Sequence, residues 1–354
     1  MTVTPAGALE VLEAARKGDD EAFRRIVDEY RAELHAHCYR MLGSVQDAED
    51  ATQETLLRAW RGLPGFVGRS SLRSWLYRIA TNVCLDAIAR RPRRVLPADA
   101  GPPTTPTADP GMPLVESVWI EPYPSAHMGP TDGYAAPDES YERLETLELA
   151  FVAALQHLPA SQRAVLILRE VLGFSAREVS ESLEITVAAV NSALQRARKN
   201  VAERLPERSQ QATLRILGDE RIRELVDAYV DAWQQGDVDA LRMLLTEDAV
   251  FSMPPWSSWW RGGATIAGFA EQAHEYCAVA RVLPTHANGQ PALAYYSWNG
   301  DSDLFQATAI DVLTLEGERI SEITAFVTPD IFPLFGLPSE LMPEVARAAE
   351  KPPT

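Results

Sequence analysis

The sequence predicts a multidomain chain of two all-α modules, one a helical bundle and one a helix-turn-helix, followed by an α+β domain. Three observations predict it. Residues 16–94 repeat apolar side chains at helical spacing, residues 158–199 lay out two short helices of which the second is basic, and residues 219–354 pass from helical periodicity to alternating, β-rich segments.

In the first block Phe23, Ile26, Val27, Tyr30, Leu34, Cys38 and Met41 lie on one helical face, and Gly43 stops that helix. Ser44 with Asp47 opens another, where Asp47, Glu49, Asp50 and Glu54 crowd the first turns. Acids there either complement the helix dipole, which is worth only tenths of a kcal/mol each, or form an acidic docking surface; the residues alone leave both open. Residues 62–71 form a glycine-rich loop, and Ser70 or Ser71 caps the next helix. Its apolar stripe is Leu72, Trp75, Leu76, Ile79 and Val83; Arg78, Asn82, Asp86 and Arg90 follow at i, i+4 on the other face. Asp86 and Arg90 are spaced to pair with each other. The basic end Arg90, Arg91, Arg93, Arg94 is either a solubilising tail or, from its position after a polar helix face, a contact with a nucleic-acid backbone.

The helix-turn-helix reading rests on two caps. Ser175 followed by Glu178 is a capping box that starts a helix carrying Val179 and Leu183. A second helix begins at Thr186, with Val187, Val190, Leu194 and Ala197 spaced to pack inward and Asn191, Ser192, Gln195, Arg196, Arg198 and Lys199 left outside. Amide, hydroxyl and guanidinium groups on a free face can read base edges and grip phosphates in a major groove. A solvated face on an ordinary helical hairpin is the alternative, and the turn at Glu184 lacks the glycine often found there.

Composition bounds the rest. With 354 residues, 46% hydrophobic and 23% charged, the chain can bury two or three cores. No apolar run reaches about 18 residues and no basic-then-apolar leader opens the sequence, so a soluble, cytoplasmic protein is expected, with no membrane contact. Cys38, Cys84 and Cys277 are an odd, scattered set that suits a reducing compartment better than disulfides or zinc. A net charge of −17 argues against DNA binding until it is mapped: +2 over 1–94, −7 over 95–140, +1 over 141–218 and −13 over 219–354. Residues 58–94 hold nine arginines against the single acid Asp86. The segment 95–140 carries ten of the 25 prolines and no Lys or Arg, and is expected to be an extended linker. Within it Trp119, Ile120, Pro122, Tyr123 and Pro124 are too apolar for a passive spacer, and Trp119, Pro122, Tyr123 and Pro124 are expected to dock on another part of the protein or on a partner.

Taken together, Asp47-Ala-Glu-Asp-Ala-Thr-Gln-Glu54, then Ser74-Trp-Leu-Tyr-Arg-Ile-Ala-Thr-Asn82 with Asp86 and Arg90, then Leu158-Pro-x-x-Gln-Arg163-x-Val-Leu-x-Leu-Arg-Glu170, resemble the extracytoplasmic-function sigma factors over about residues 16–94 and 141–205. The resemblance implies a subunit that directs bacterial RNA polymerase to promoters. Residues 1–94 would be the sigma region 2 domain and 141–218 the region 4 domain. Asp47, Glu49, Asp50, Gln53 and Glu54 would dock on the polymerase β′ subunit, with β as a further contact. Residues 62–71 would capture a base flipped from the −10 element, which offsets part of the unstacking cost. Arg69, Ser70, Ser71, Arg73, Arg78, Asn82, Arg90 and Arg91 would line that strand. Arg177, Thr186, Ala188, Ala189, Asn191, Ser192, Gln195, Arg196 and Lys199 would read the −35 element; Asn191 and Ala193 depart from the family pattern, where Lys and Arg are frequent.

The remaining residues, 219–354, begin with an amphipathic helix bearing Ile222, Leu225, Val226, Tyr229 and Trp233, ended by Gly236-Asp237. A short helix with Val238, Leu241, Leu244 and Leu245 follows, then one near 266–280, then β segments over 292–298, 305–315 and 319–328 with a hairpin turn at Glu316-Gly317. Helices followed by a curved antiparallel sheet, with Tyr229, Gly236-Asp237, a Val250 strand ending at Pro254-Pro255, and Gly262, Ile266 and Phe269, are similar to the SnoaL-like members of the NTF2-like superfamily. That resemblance implies a cone, whose candidate wall is Trp256, Trp259, Trp260, Tyr295, Tyr296 and Trp298. Asp311 alternates in phase with Phe305, Ala307, Ala309 and Leu313 and is expected to point inward with them. A carboxylate isolated there has its pKa raised and could abstract a carbon-bound proton, given an oxyanion donor such as His274, His286 or a tyrosine.

Three function classes follow. A sigma factor predicts binding to core polymerase and weak DNA affinity alone. A ligand-responsive repressor predicts operator binding without polymerase. A SnoaL-type enzyme predicts turnover lost on Asp311→Asn. The order of the two motif blocks favours the sigma factor, a non-enzyme with no catalytic residue, metal or cofactor, monomeric when free. Its C-terminal domain would take a small molecule or a protein regulator, and, with the Trp119 to Pro124 patch, would clamp regions 2 and 4 together in the absence of polymerase.

Overall fold

The computed structural model describes residues 5–105, 112–114, 118–124, 141–277 and 280–343. They group into two compact units, Met1–Arg94 with Ala150–Leu205, and Val95–Leu149 with Pro206–Thr354. Residues 141–149 and 206–218, given to the helix-turn-helix module on sequence, therefore pack with the second unit.

The first unit is all helix. It contains α1 (Pro5–Arg16), α2 (Asp20–Leu42), α3 (Val45–Gly62) and α4 (Leu72–Ile88), then α7 (Leu149–Gln156), α8 (Ala160–Leu166) with a π turn over Ile167–Val171, α9 (Ala176–Leu183) and α10 (Val187–Ala202). The caps are those the sequence predicts. Ser44, Ser71 and Thr186 accept the amides of Asp47, Ser74 and Ala189 at 3.0, 3.0 and 3.2 Å, and Ser175 with Glu178 closes a full capping box. Gly43 ends α2 at φ 70°, a left-handed conformation that glycine adopts without strain. Leu34, Tyr39, Met41, Ala59, Leu76 and Ala80 are buried where α2, α3 and α4 meet. Cys38 and Cys84, far apart in sequence, are buried neighbours linked by a thiol hydrogen bond. Helix α8 packs on α2, α4 and α10, and α9 packs on α4, so the bundle and the helix-turn-helix share one unit.

The second unit contains α5 (Pro97–Ala100), α6 (Tyr141–Glu145), α11 (Gln210–Leu217), α12 (Asp219–Gln235), α13 (Val238–Leu244) and α14 (Gly263–Cys277). These accompany a sheet of β1 (Leu245–Ser252), β2 (Trp259–Arg261), β3 (Ala280–Ala287), β4 (Gln290–Asn299), β5 (Leu304–Glu316), β6 (Arg319–Phe326) and β7 (Glu340–Leu341). Strand order is β2-β1-β6-β5-β4-β3, with β7 on β5. The sheet is mixed rather than antiparallel as expected, because β1 leaves α13 and pairs parallel with β6. The predicted hairpin turn is present: Glu316 pairs with Arg319 across Gly317, at φ 56°. Tyr229, Phe251, Trp260, Ile266, Leu293, Leu313 and Ile323 form the main core under α12 and α14.

The described parts of the linker, residues 95–105, 112–114 and 118–124, are built into this unit. Val95 bridges to Trp119, Pro124 bridges to Ala287, and the Tyr123 amide donates to Asn288 Oδ1 at 2.8 Å while the Asn288 amide donates to the Tyr123 carbonyl at 2.8 Å. Trp119, Ile120, Pro122, Tyr123 and Pro124 are all buried. The expected docking patch thus finds partners within the second unit.

Candidate nucleic-acid interface

Helix α3 carries all five residues expected to meet polymerase, in unequal states. Asp50 and Gln53 are exposed. Glu49 accepts from Gln53 Nε2 at 2.9 Å and lies 3.8 Å from Arg31; Glu54 accepts from Arg58 Nε at 2.6 Å. Asp47 is 11% exposed and already bound by Arg91 and Arg94, the latter at 2.7 Å. Arg58 also reaches Asp86 at 3.5 Å, which corrects the expected Asp86 and Arg90 pairing: the carboxylate turns to the neighbouring helix.

The expected −10 contacts lie on α4, the loop before it and the tail after it. Arg69, Ser70, Ser71, Asn82, Arg90 and Arg91 are exposed, with Ser71 also serving as the α4 cap. Arg73 and Arg78 are engaged by the helix-turn-helix. The Arg73 guanidinium donates to the Leu172 carbonyl at 3.2 Å and sits 4.9 Å from the Phe174 ring centre and 5.0 Å from that of Tyr77. Arg78 donates to Glu184 Oε1 at 2.7 Å, and Ser74 Oγ donates to Glu178 Oε1 at 3.2 Å. No sequence pattern announced these partners, since they lie about a hundred residues away.

On α10 and its cap every residue expected at the −35 element is exposed: Thr186, the cap, and Ala188, Ala189, Asn191, Ser192, Gln195, Arg196 and Lys199; Arg177 on α9 is exposed too. Val190, Ala193, Leu194 and Ala197 are buried beneath them. Val187 is 43% exposed instead of packed inward, because it stands in the first turn beyond the buried stripe. Glu184, in the turn that lacks glycine, takes φ 57°.

The expected cavity residues separate onto two faces. Tyr296 pairs with Ala307 but Tyr295 pairs with Ala309, so Thr308 is an extra residue that reverses the phase of β5. Asp311 and Leu313 therefore face the core beside Leu293 and Tyr295, whereas Phe305 and Ala307 face away with Trp298 and Tyr296; Trp298 packs on Phe305 and Tyr296 on Phe332. This corrects the uniform alternation expected for that strand. Trp260 is fully buried and stacks on Phe269 at 4.1 Å. Trp259 and Trp260 donate through Nε1 to the linker carbonyls of Gly101 and Thr105 at 2.8 and 3.3 Å, and Trp256 is half-buried. The side chain of His274 lies outside the described residues. Asp311 is buried with the Tyr229 hydroxyl 3.4 Å away, and burial, partly opposed by that hydrogen bond, pushes its pKa up to about 7. His286 is held below the ordinary imidazole value by burial.

An arginine-rich helix face and an exposed polar helix on a helix-turn-helix define a DNA-binding transcription protein. Comparisons with known proteins sharpen that class. Residues 26–94 match Sigma-70 region 2, residues 148–201 match Sigma-70 region 4, and residues 226–323 match a SnoaL-like domain. The ECF RNA polymerase sigma factor SigG of Mycobacterium tuberculosis (strain ATCC 25618 / H37Rv) is 43% identical over 335 residues, covering 92% of this chain and 86% of that one. The ECF RNA polymerase sigma factor SigW of Bacillus subtilis (strain 168) is 30% identical over 195 residues, 55% of this chain and 94% of its own length. The crystal structure of the Mycobacterium tuberculosis extracytoplasmic function sigma factor SigJ matches 88% of this chain and 99% of its own with a TM-score of 0.56 at 21% identity, a likeness of fold. The chain belongs to the ECF RNA polymerase sigma factors. It is a transcription initiation factor that directs bacterial RNA polymerase to promoter DNA, and it carries a SnoaL-like domain besides the two sigma regions. Among the described residues no helix is long and apolar enough to cross a membrane, and no group of three or more His, Cys, Asp or Glu residues is arranged to hold a metal ion.

Proposed function

We propose that the free protein, a cytoplasmic monomer, keeps its −10 contacts engaged by its own region 4 and releases them on binding core polymerase. Asp50, Gln53 and the α3 acids beside them dock on the β′ subunit, with β contacting region 4. Arg69, Ser70, Asn82 and Arg90 then meet the −10 strand together with Arg73 and Arg78, while Asn191, Gln195, Arg196 and Lys199 read the −35 duplex. The observation that carries this reading is the set of bonds from Arg73, Ser74 and Arg78 to Leu172, Glu178 and Glu184. These side chains cannot hold a DNA strand and region 4 at once. Exposed pairs of this kind are worth only about 0–1 kcal/mol each, so docking on polymerase is enough to break them. The SnoaL-like domain acts as a regulatory module and not as an isomerase: the buried carboxylate of Asp311 lies against Tyr229 in a packed core.

Reconstitution with core RNA polymerase, followed by run-off transcription from a promoter pool, tests the scheme. Glu184→Gln should raise the affinity of the polymerase-free protein for −10 single strand while leaving holoenzyme output near wild type. Equal strand affinity for both proteins would remove the masking step, and failure to bind core polymerase would remove the whole reading.

A further inference from the structure

A concave site of about 240 Å³ opens within the first unit between the tail that follows α4 and the segment joining α7 to α8. Its charged lining is four guanidiniums, Arg91, Arg93, Arg94 and Arg163, against the single carboxylate of Asp47; the rest is largely apolar. Asp47 is taken up by Arg91 and Arg94. Arg163, the arginine of the Leu158-Pro-x-x-Gln-Arg motif, has no carboxylate. It is 4% exposed, and its guanidinium is held by neutral acceptors only: the Met41 carbonyl, Gln156 Oε1, and the carbonyls of Gln156 and Leu158 at 3.0 and 3.3 Å. Its Nε has no hydrogen-bond partner. Burial first, and then the charge of Arg93, bring the Arg163 pKa down to about 10. Gln156 in turn donates to the Arg40 carbonyl at 3.2 Å, so the buried guanidinium is fixed in place from both sides.

A buried cation ordinarily comes with an anion, because neutral acceptors recover only part of its lost hydration. Here the local excess is three positive charges, which favours an anion. We infer that this pocket binds a small phosphate-bearing anion of one or two phosphoryl groups, bridging Arg93 and Arg163 and so tying the region 2 tail to the start of region 4. Phosphate is favoured because guanidinium forks present paired donors that match its oxygens. Size excludes a whole nucleotide: small-molecule pockets begin at roughly 300 Å³. Binding itself does not depend on the promoter contacts proposed above. Its consequence does, since parting the two modules dismantles the pocket and a bound anion opposes that opening.

The test is calorimetric titration of the full-length chain with inorganic pyrophosphate at ionic strength held constant with chloride, beside arms using sulfate and a short single-stranded oligonucleotide. Pyrophosphate should fill one saturable site more tightly than sulfate. Arg93→Ala, which removes an exposed side chain, should weaken it by about tenfold or more without moving the anion-free melting temperature. Hydrogen exchange over residues 88–94 and 156–163 should slow when the anion is present. Heat no greater than that of sulfate, an Arg93→Ala titration like the wild type, or unchanged exchange would each overturn the inference. So would a result in which the oligonucleotide alone responds to Arg93→Ala, since the arginines would then serve only a nucleic-acid backbone.

Discussion

Two residues carry energetic conflicts that substitution resolves. Glu184 holds a left-handed turn conformation that costs a non-glycine residue about 1–2 kcal/mol, and it also binds Arg78 at an exposed pair worth about 0–1 kcal/mol. Glu184→Gly removes both the strain and the pair, so the melting temperature should hold or rise slightly while the polymerase-free affinity for −10 strand rises. A variant that melts far lower would mean the turn depends on the ion pair. Asp311 presents the second conflict. Its pKa is raised from an ordinary carboxylate value to about 7, so the folded form binds the proton more tightly than the unfolded one. Stability from this group is full below about pH 4 and is lost as pH rises through 7, at about 1.4 kcal/mol per pKa unit. Asp311→Asn should therefore melt above the wild type at pH 8 and close to it at pH 4, followed by circular dichroism. Glu148 and Glu322, also raised by burial, act in the same direction and leave a residual slope in the variant.

At the scale of the element, short-range chemistry was readable and long-range packing was not. Ser44, Ser71, Ser175 and Thr186 cap the helices their spacing predicts, because a cap involves only residues three apart. The outward face of α10 was legible for the same reason: a helical period assigns Asn191, Gln195 and Lys199 to one side. The Thr308 bulge was not legible, since alternation fails only where a partner strand skips a residue, and the partner is set by tertiary pairing. The parallel pairing of β1 with β6 and the seating of Tyr123 on Asn288 were hidden likewise. Arg163 stands inside the Leu158-Pro-x-x-Gln-Arg motif, but its burial without a carboxylate is set by tertiary packing. Element α10 also separates two kinds of DNA contact. Gln195→Ala should cost about 1–3 kcal/mol of discrimination at one −35 base pair, read from holoenzyme binding to a promoter mutation series. Lys199→Ala, if it meets phosphate, should weaken all sites alike and lower the salt dependence by about one counterion.

Across the whole molecule, the grouping of segments decides how regulation by the SnoaL-like domain can be tested. Cutting after Leu217 would leave α11 without the strand and helix it packs on, and would strip Trp119, Ile120 and Tyr123 of their cover. Such a chain exposes aromatic surface and should self-associate, so a change in its transcription output would report aggregation as readily as lost control. A cleaner perturbation keeps the domain and loosens only the linker. Tyr123 is fully buried and its backbone is bonded to Asn288 in both directions; Tyr123→Ala should cost about 3–5 kcal/mol of local packing, by analogy with other large aromatic truncations. The backbone bonds and the Val95 bridge to Trp119 remain, so the unit should stay folded while hydrogen exchange rises over residues 118–124. If docking of the linker sets how far regions 2 and 4 can separate, this variant should change core-polymerase affinity and run-off yield together, with −35 specificity unaltered. Faster exchange at 118–124 with both quantities unchanged would show that the docked linker anchors the second unit and has no part in initiation.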